Sequence, residues 1–468
     1  MQSYTLYNNL MKAIVTNKTI TILDATPKYE QYITDILSFV DKSKQYQLRR
    51  MEKNPWQKNS PHYHKIKAES TGCLVVKQDN KIIIPSGFAY TLNNDMDIED
   101  LRSSTGDKIA LPWKKKPFDL RPYQQEAVEL MDSEYRGLIN MATGLGKTLT
   151  AIHAIRKIKR KTLIVCPGKS IADQFYLQLC EAFGSHRIGY MGGGKKQLKD
   201  ITVGIVGTIN NNIDTVSKHG LGLVIFDETH HISADTFFSI AENLGDIGKM
   251  FGLTATDFRS DGKDVMITAG VGPVVIKKDV VWGVQNGWLA EPHFFIRNIY
   301  SGQREFPGDK LKNYKSHILN CEVTKKQIEN DCRNFINMGK SVLCLVSEVA
   351  HGEELSQALG VPFATGKDKK SASYIDELNS GKTLGLIGTD SFIGEGTDTK
   401  QVDVLILANF VASKGPVIQC LGRGLRKTNT KSKVIILDYK IANSKMLARH
   451  CDNRVKIYKT INSNITMI

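Results

Sequence analysis

The sequence predicts an α/β protein: two doubly wound parallel-sheet domains in tandem, preceded by a small α+β domain. Three observations carry this. From about Leu138 onward, short apolar runs alternate with helical stretches, the pattern of an open parallel sheet with crossover helices. The pattern comes in two blocks, separated at Asn286-Gly287-Trp288-Leu289-Ala290-Glu291-Pro292, where Gly and Pro punctuate it. The chain has 468 residues, 41% hydrophobic and 24% charged, enough to bury several sizeable cores. Collagen-like, mucin-like and wholly disordered classes are excluded.

The predicted domains are residues 1–105, 106–290 and 291–468. In the first, helical stretches around Tyr29–Asp41 and Lys42–Glu52 precede a hairpin, Leu74–Gln78 and Lys81–Ile84, turning at Asp79-Asn80. The polar run Arg102-Ser103-Ser104-Thr105-Gly106-Asp107 reads as a linker. Strands of the middle block are expected at Gly137–Asn140, Thr162–Cys166, Ile201–Val206, Leu221–Phe226 and Met250–Leu253. Those of the last block are expected at Ser341–Val346, Thr383–Ile387, Val402–Ala408 and Lys433–Leu437. No internal repeat is visible.

Charge narrows the partners. Lys and Arg number 63 against 48 Asp and Glu, a net +15, which favours a polyanion such as nucleic acid. The eight cysteines form no CxxC pair and several sit in apolar runs, as free thiols do in a reducing compartment. No secretory signal is read at Met1–Leu10, and no apolar run reaches the length of a membrane span. A cytoplasmic protein with no membrane partner is expected.

Two motifs carry chemistry. Met141-Ala142-Thr143-Gly144-Leu145-Gly146-Lys147-Thr148 follows a strand and opens an amphipathic helix, the setting of a phosphate-binding loop. Its glycines let backbone N–H groups approach phosphates, Lys147 can reach the β/γ-phosphates, and Thr148 offers a hydroxyl to Mg²⁺. The first glycine of the strict pattern is replaced by Met141. Leu223-Val224-Ile225-Phe226-Asp227-Glu228-Thr229-His230 is an apolar strand ending in adjacent carboxylates. Asp227 suits a metal ligand, and Glu228 a base that orients and deprotonates water.

With these two elements in place, the chain resembles the superfamily 2 helicases that carry a D-E-x-H box, including His230, and the resemblance covers about residues 118–440. It implies that both blocks are RecA-like, that ATP and Mg²⁺ are bound, and that Lys147, Asp227 and Glu228 act on the nucleotide. Leu120-Arg121-Pro122-Tyr123-Gln124 is similar to the adenine-reading element, with Gln124 on the base edge. Pro167-Gly168-Lys169-Ser170 and Gly207-Thr208 resemble nucleic-acid backbone contacts, as do Ser347 and Thr389 of the last block. Leu253-Thr254-Ala255-Thr256 is similar to the segment that couples hydrolysis to movement. Gly394-Glu395-Gly396-Thr397-Asp398 matches the motif that reaches the nucleotide, here through Gly396 and Asp398. Gln419-Cys420-Leu421-Gly422-Arg423-Gly424-Leu425-Arg426 resembles the arginine-finger motif, giving Gln419, Arg423 and Arg426 catalytic roles.

The DETH box, the TAT triplet and Gly-Trp-Leu-Ala-Glu-Pro are most like phage-encoded branch-migration helicases and related repair and restriction motors. The expected function is an ATP-dependent DNA helicase or translocase. It would unwind or branch-migrate forked and junction DNA, without sequence preference, in replication, recombination or repair. A phage-encoded chain would work in the host-cell cytoplasm. An RNA helicase, and the motor subunit of a multi-chain nuclease complex, are the alternatives. Of the weaker features, His62-Tyr63-His64 lacks a third metal ligand, Lys114-Lys115-Lys116 reads as a solvated run, and the hairpin is either a fork-separating pin or packing.

Overall fold

A computed structural model describes residues 11–58, 60–93, 96–232, 234–255, 262–366, 368, 370–390, 392, 399, 401–410, 414–427, 431–462 and 464–468. It divides into two compact units, 1–141 with 146–277, and 142–145 with 278–468.

The first unit holds two sheets. The N-terminal sheet has five strands in the order Val76–Gln78, Lys81–Pro85, Thr19–Leu23, Met11–Val15 and Met96–Asp100, all antiparallel except the last pair. Alternation sets its buried face: Ala13 and Val15, Ile20 and Ile22, Ile82 and Ile84 point inward at every second position. Helix Pro27–Leu37 covers that face with Tyr29, Ile33 and Leu37, four residues apart, and starts where the Thr26 side chain accepts from the Tyr29 N–H. Such a cap is worth about 1 kcal/mol. The expected hairpin forms, with Asp79 at φ +50°, and its second strand lies inside the sheet with Ile82 and Ile84 buried. Packing thus accounts for it. Two further helices, Lys42–Met51 and Pro61–Ala68, pack on each other through Leu48, Tyr63 and Ile66. Tyr63 is consequently a core residue, and its hydroxyl donates to Glu52 at 3.0 Å.

The second sheet belongs to the middle block, which the sequence resemblance expects to be part of a motor, and it is labelled the motor sheet. Its eight strands run Lys195–Gln197, Ile188–Gly192, Ile201–Ile205, Thr162–Cys166, Leu223–Phe226, Lys249–Thr254, Arg136–Met141 and Val274–Lys278. Its inner strands pair in parallel and are buried except at Arg136 and Ile205, each at a strand end, as strands covered on both faces must be. Crossover therefore sends the chain ends that follow Arg136–Met141, Leu223–Phe226 and Lys249–Thr254 to one edge, three neighbouring strands abreast. Ligands of such sheets bind at the carboxyl ends of the strands.

The two sheets share a core: Ala269, from helix Asp264–Val271 of the motor block, lies in the N-terminal apolar cluster. A Cβ on Gly87 would come within 1.9 Å of the Thr268 carbonyl oxygen, so the N-terminal turn approaches that helix as only glycine can. The polar run Arg102–Asp107 is fastened along its length. The Arg102 guanidinium lies 4.7 Å over the Tyr135 ring, Thr105 accepts from the Gly248 N–H at 2.7 Å, and Asp107 meets Lys161 at 2.7 Å. The run expected as a linker is a strap.

The second unit has one seven-stranded sheet, all parallel: Phe363–Ala364, Gly385–Thr389, Val342–Val346, Val404–Leu407, Lys433–Ile441, Glu291–Ile299 and Ile465–Met467. The last helix, Lys445–Ile461, is anchored to it by a buried pair. Arg454 donates to Asp438 at 2.7 and 2.9 Å, and the Tyr458 hydroxyl adds a third bond at 2.8 Å.

Candidate nucleotide site and motor motifs

The site forms at the carboxyl edge of the motor sheet. Strand Arg136–Met141 ends in the loop, and helix Lys147–Ile158 begins directly after it. Gly144 and Gly146 take φ +90° and +84°, the left-handed conformation that turns the N–H groups inward at little cost. Behind the loop, Gln124 is buried, and its carboxamide oxygen accepts from the Arg121 N–H at 2.9 Å. A Cβ on Gly146 would stand 2.4 Å from the Gln124 Nε2. The segment 120–124, expected to read adenine, and the loop are therefore in contact, with Arg121 bonded to the Tyr123 hydroxyl at 3.1 Å.

Lys147 reaches back across the loop. Its Nζ lies 3.3 Å from the Met141 carbonyl and 3.4 Å from the Glu228 carboxylate. Glu228 sits in a left-handed turn, φ +45° and ψ +51°, a conformation that costs a non-glycine residue about 1 kcal/mol or more and gathers at functional sites. Asp227, one residue earlier, is buried, and its N–H still continues the sheet to Val165 at 2.9 Å. Burial above all, then the neighbouring Glu228 charge, pushes its carboxyl up to about 7, with Lys147 opposing. A buried carboxylate held against its own preference is a place for a cation. The hard oxygens of Asp227 and Thr148 fit Mg²⁺, which takes one or two carboxylates and keeps several waters.

One contact links motifs that lie apart in the chain. The His230 Nδ1 is 2.9 Å from the Thr254 hydroxyl and 3.5 Å from the Glu228 carboxylate. Thr254, at the end of strand Lys249–Thr254, is buried, and Ala255 follows it. Contacts of 3.5 Å or less thus run Lys147, Glu228, His230, Thr254, from the loop lysine to the segment expected to couple hydrolysis to movement. Thr256 lies outside the described residues.

Other sequence candidates fall where strands end. Pro167 follows strand Thr162–Cys166, and exposed Lys169 opens the helix Lys169–Phe183. Thr208 lies in the short helix Val206–Asn210. In the second unit, Thr389 ends strand Gly385–Thr389, and Ser347 donates to the Asn409 carbonyl at 2.9 Å and to Asp390 at 3.3 Å. Arg426 is mounted by the segment that separates the blocks in sequence. Leu289 pairs with it as an antiparallel bridge, and the Ala290 N–H donates to the Leu425 carbonyl at 2.8 Å. Burial lowers the Arg426 guanidinium to about 10. Gly396 and Asp398 lie outside the described residues, as do the side chains of Gln419 and Arg423, whose backbone belongs to helix Lys414–Gly424.

Sequence reasoning missed the parts played by four residues. Leu289 and Ala290 were read as a boundary and as part of the Gly-Trp-Leu-Ala-Glu-Pro resemblance, not as the mount of Arg426. Lys263 is buried between Asp41 at 3.0 Å and Asp235 at 2.9 Å, tying the N-terminal helices to the motor block. Nothing in its local sequence marks it. Asn140, fully buried one residue before the end of the loop strand, stands out only as a polar residue in an apolar run.

Residues 117–259 match the family model of the type III restriction enzyme res subunit. Among curated proteins, the chain is 26% identical over 350 residues to a candidate DNA 3′–5′ helicase, Rad25, of Halobacterium salinarum, covering 72% of this chain and 56% of that one. It is 24% identical over 390 residues to the DNA 3′–5′ translocase XPB2 of Sulfurisphaera tokodaii, covering 74% and 87%. The chain resembles the superfamily 2 DNA helicases. It spans little more than half of the Halobacterium relative. A fragment of a candidate HsdR subunit of a type I restriction enzyme from Vibrio vulnificus has the same fold, with a TM-score of 0.53, 20% identity, and 70% and 65% of the two chains covered. The superfamily fold is that of tandem RecA-like domains, and its members hydrolyse ATP. Among the described residues, no helix is long and apolar enough to cross a membrane, and no cluster of three His, Cys, Asp or Glu could hold a metal.

Proposed function

We propose that this superfamily 2 protein is a DExH-box DNA helicase or translocase acting on forked and branched DNA, independent of sequence, in replication, recombination or repair. The carrying observation is the unbroken path from Lys147 through Glu228 and His230 to Thr254. Hydrolysis needs a water held and deprotonated beside the γ-phosphate, and Glu228 has the position for it. Lys147 neutralises the β/γ-phosphates, and the loop N–H groups cradle them. Gln124 and Arg121 read the adenine. Mg²⁺ bound by Thr148 and Asp227 would neutralise charge that develops on the phosphate oxygens. When phosphate leaves, the change at Glu228 reaches Thr254 through the imidazole of His230.

In the same reading, Arg426, Arg423 and Gln419 serve the γ-phosphate from the second block. Gly396 and Asp398 complete the nucleotide contacts. Pro167, Lys169, Thr208, Ser347 and Thr389 track the DNA backbone, and the surplus of basic residues supports a polyanionic track. Names of relatives support DNA over RNA. Outside the motor, the N-terminal basic groups Arg49, Arg50, Lys53, Lys58, Lys65 and Lys67 are all exposed, and we assign them to the duplex arm of a junction.

The deciding experiment compares ATPase stimulation and strand separation on single-stranded, duplex, forked and four-way DNA, with RNA as control. Forked or four-way DNA should stimulate most. Equal or stronger stimulation by RNA would refute the DNA assignment. The likeness to res and HsdR subunits supports a second reading, a motor that works beside a nuclease on another chain. Strand separation by the purified chain alone decides against it.

A further inference from the structure

Helix Lys42–Met51 shows two unlike faces. Leu48 points into the small core with Tyr63 and Ile66, with Met51 packed against it. Opposite, Lys42, Tyr46, Arg49 and Arg50 follow one another at helical spacing, all exposed. Lys53 comes in the next turn, and Trp56 in the short helix Pro55–Lys58 after it. Trp56 is 90% exposed and Tyr46 64%. Between residues 42 and 68 the only acid is Glu52, whose carboxylate accepts from the Tyr63 hydroxyl, against exposed Lys42, Arg49, Arg50, Lys53, Lys58, Lys65 and Lys67.

We propose that this face is a stacking site for unpaired DNA bases, with Trp56 as the platform, Tyr46 beside it in the sequence pattern, and the basic groups holding the flanking phosphates. Cations alone suffice for the phosphates of a duplex. A bare indole amid them adds affinity only where it meets a π-face, and in paired DNA those faces are covered by neighbouring bases. They are uncovered in single strands and at branch points. Positive charge excludes a basic protein partner. A lipid surface would need an apolar helix face, and here Leu48 and Ile66 are turned inward. The site is also firmly mounted. Asp41 caps the helix, accepting from the Ser43 and Lys44 N–H groups at 3.0 Å each, while its other oxygen meets Lys263 of the motor block at 3.0 Å. Stacking there would register an unpaired base at a fixed place on the first unit.

This rests on the junction-binding function proposed above, and the test separates the two. Full-length Trp56→Ala, Trp56→Phe and the double variant Arg49→Ala/Arg50→Ala are compared by fluorescence anisotropy over a salt series. The probes are a DNA fork with unpaired bases at the branch, the same fork with abasic sites there, and blunt duplex. Trp56→Ala should bind the unpaired-base fork about tenfold more weakly, the loss of one stacked base. It should leave the salt slope, the abasic fork and the blunt duplex unchanged. Trp56→Phe should recover most of the loss. The arginine pair should instead flatten the salt slope by about 1.5. Wild-type fork affinity in Trp56→Ala, with a flattened slope in the arginine pair, overturns the stacking site and leaves the junction grip standing. If neither variant changes DNA binding, both fall. Equal losses on fork and blunt duplex also overturn stacking. The thermal melting midpoint of each variant, expected at the wild-type value, reports the fold.

Discussion

The nucleotide site and the basic N-terminal helices both gather charge, and they do so in opposite ways. At the proposed nucleotide site the charged groups are few, sheltered and mutually engaged, with Lys147 against Glu228, the His230 ring 3.5 Å from Glu228, and Asp227 pushed up by burial. On helix Lys42–Met51 the charges are many, one-signed and open to water. Sheltered opposite charges prepare a reaction, because each group's protonation and position depends on the next. Open like charges prepare an encounter with a polyanion, additive over groups and sensitive to salt. Single substitutions should therefore be catastrophic in the first region and graded in the second.

That contrast can be broken at several places. The largest effect is expected for Lys147→Ala. ATP turnover and unwinding should disappear while DNA affinity stays near wild type, because the basic surfaces are untouched. Turnover within about tenfold of wild type would remove Lys147 from the phosphates; ATPase and DNA-binding assays on one preparation check both halves. Arg426→Ala comes next. ATP should still bind, since Gln124, Lys147 and Thr148 remain, but hydrolysis should fall by about a thousandfold, the scale of a lost arginine finger. Loss of nucleotide affinity with turnover per bound ATP preserved would pass that role to Arg423.

Lys263→Met tests the joint between the regions. It leaves the buried Asp41 without its cation, and removing one partner of a buried pair costs about 3 kcal/mol. The expected signs are a lower melting temperature and faster proteolysis within residues 41–70, with the second unit's fragments resisting as before. An unchanged melting curve would show that Asp41 is held by its helix alone. The smallest effect belongs to His230→Ala. DNA-independent turnover should survive, while stimulation by DNA drops several-fold, because Thr254 loses its link to Glu228. A parallel fall in both rates would make His230 part of the chemistry rather than of the coupling.

The strands of the motor were legible because buried parallel strands are written as unbroken apolar runs. Thr162–Cys166 is observed as expected, and the Leu223–Phe226 strand begins two residues later than expected. Strands with mixed composition escaped. Ile188–Gly192 contains two glycines, Glu291–Ile299 carries Glu, Pro, His, Arg and Asn, and the edge strand Met96–Asp100 is nearly all acidic or exposed. The proposed nucleotide site could be read from the sequence because phosphate chemistry asks for particular residue types at short spacing along one loop and one strand, and the structure brings Lys147 and His230 of those motifs within 3.5 Å of Glu228. Lys263 and the Leu289–Arg426 bridge were not, since their partners lie far away in the chain and no local spacing encodes them. The strap at Arg102–Asp107 misled for a related reason. Small polar residues suit a flexible linker, and they suit equally a segment that bonds to neighbouring backbone, as Thr105 does through its hydroxyl and Asp107 through its own backbone.

Arg136, at the start of the loop strand, sets an order on biosynthesis. Its guanidinium donates to the carbonyls of Asn17 at 2.5 Å and Gly245 at 2.9 Å, and to that of Gly270. The first of these leaves the ribosome long before the last, separated by about 250 residues, or roughly ten to fifty seconds of translation. Until then the N-terminal sheet has no Ala269 to cover its inner face, and the loop strand has no fixed base. The nascent N-terminal module then has its helix Pro27–Leu37 in place but lacks the part of its core that Ala269 completes. Ribosome-bound chains halted before residue 245 and after residue 300 should differ sharply in protease resistance at that module.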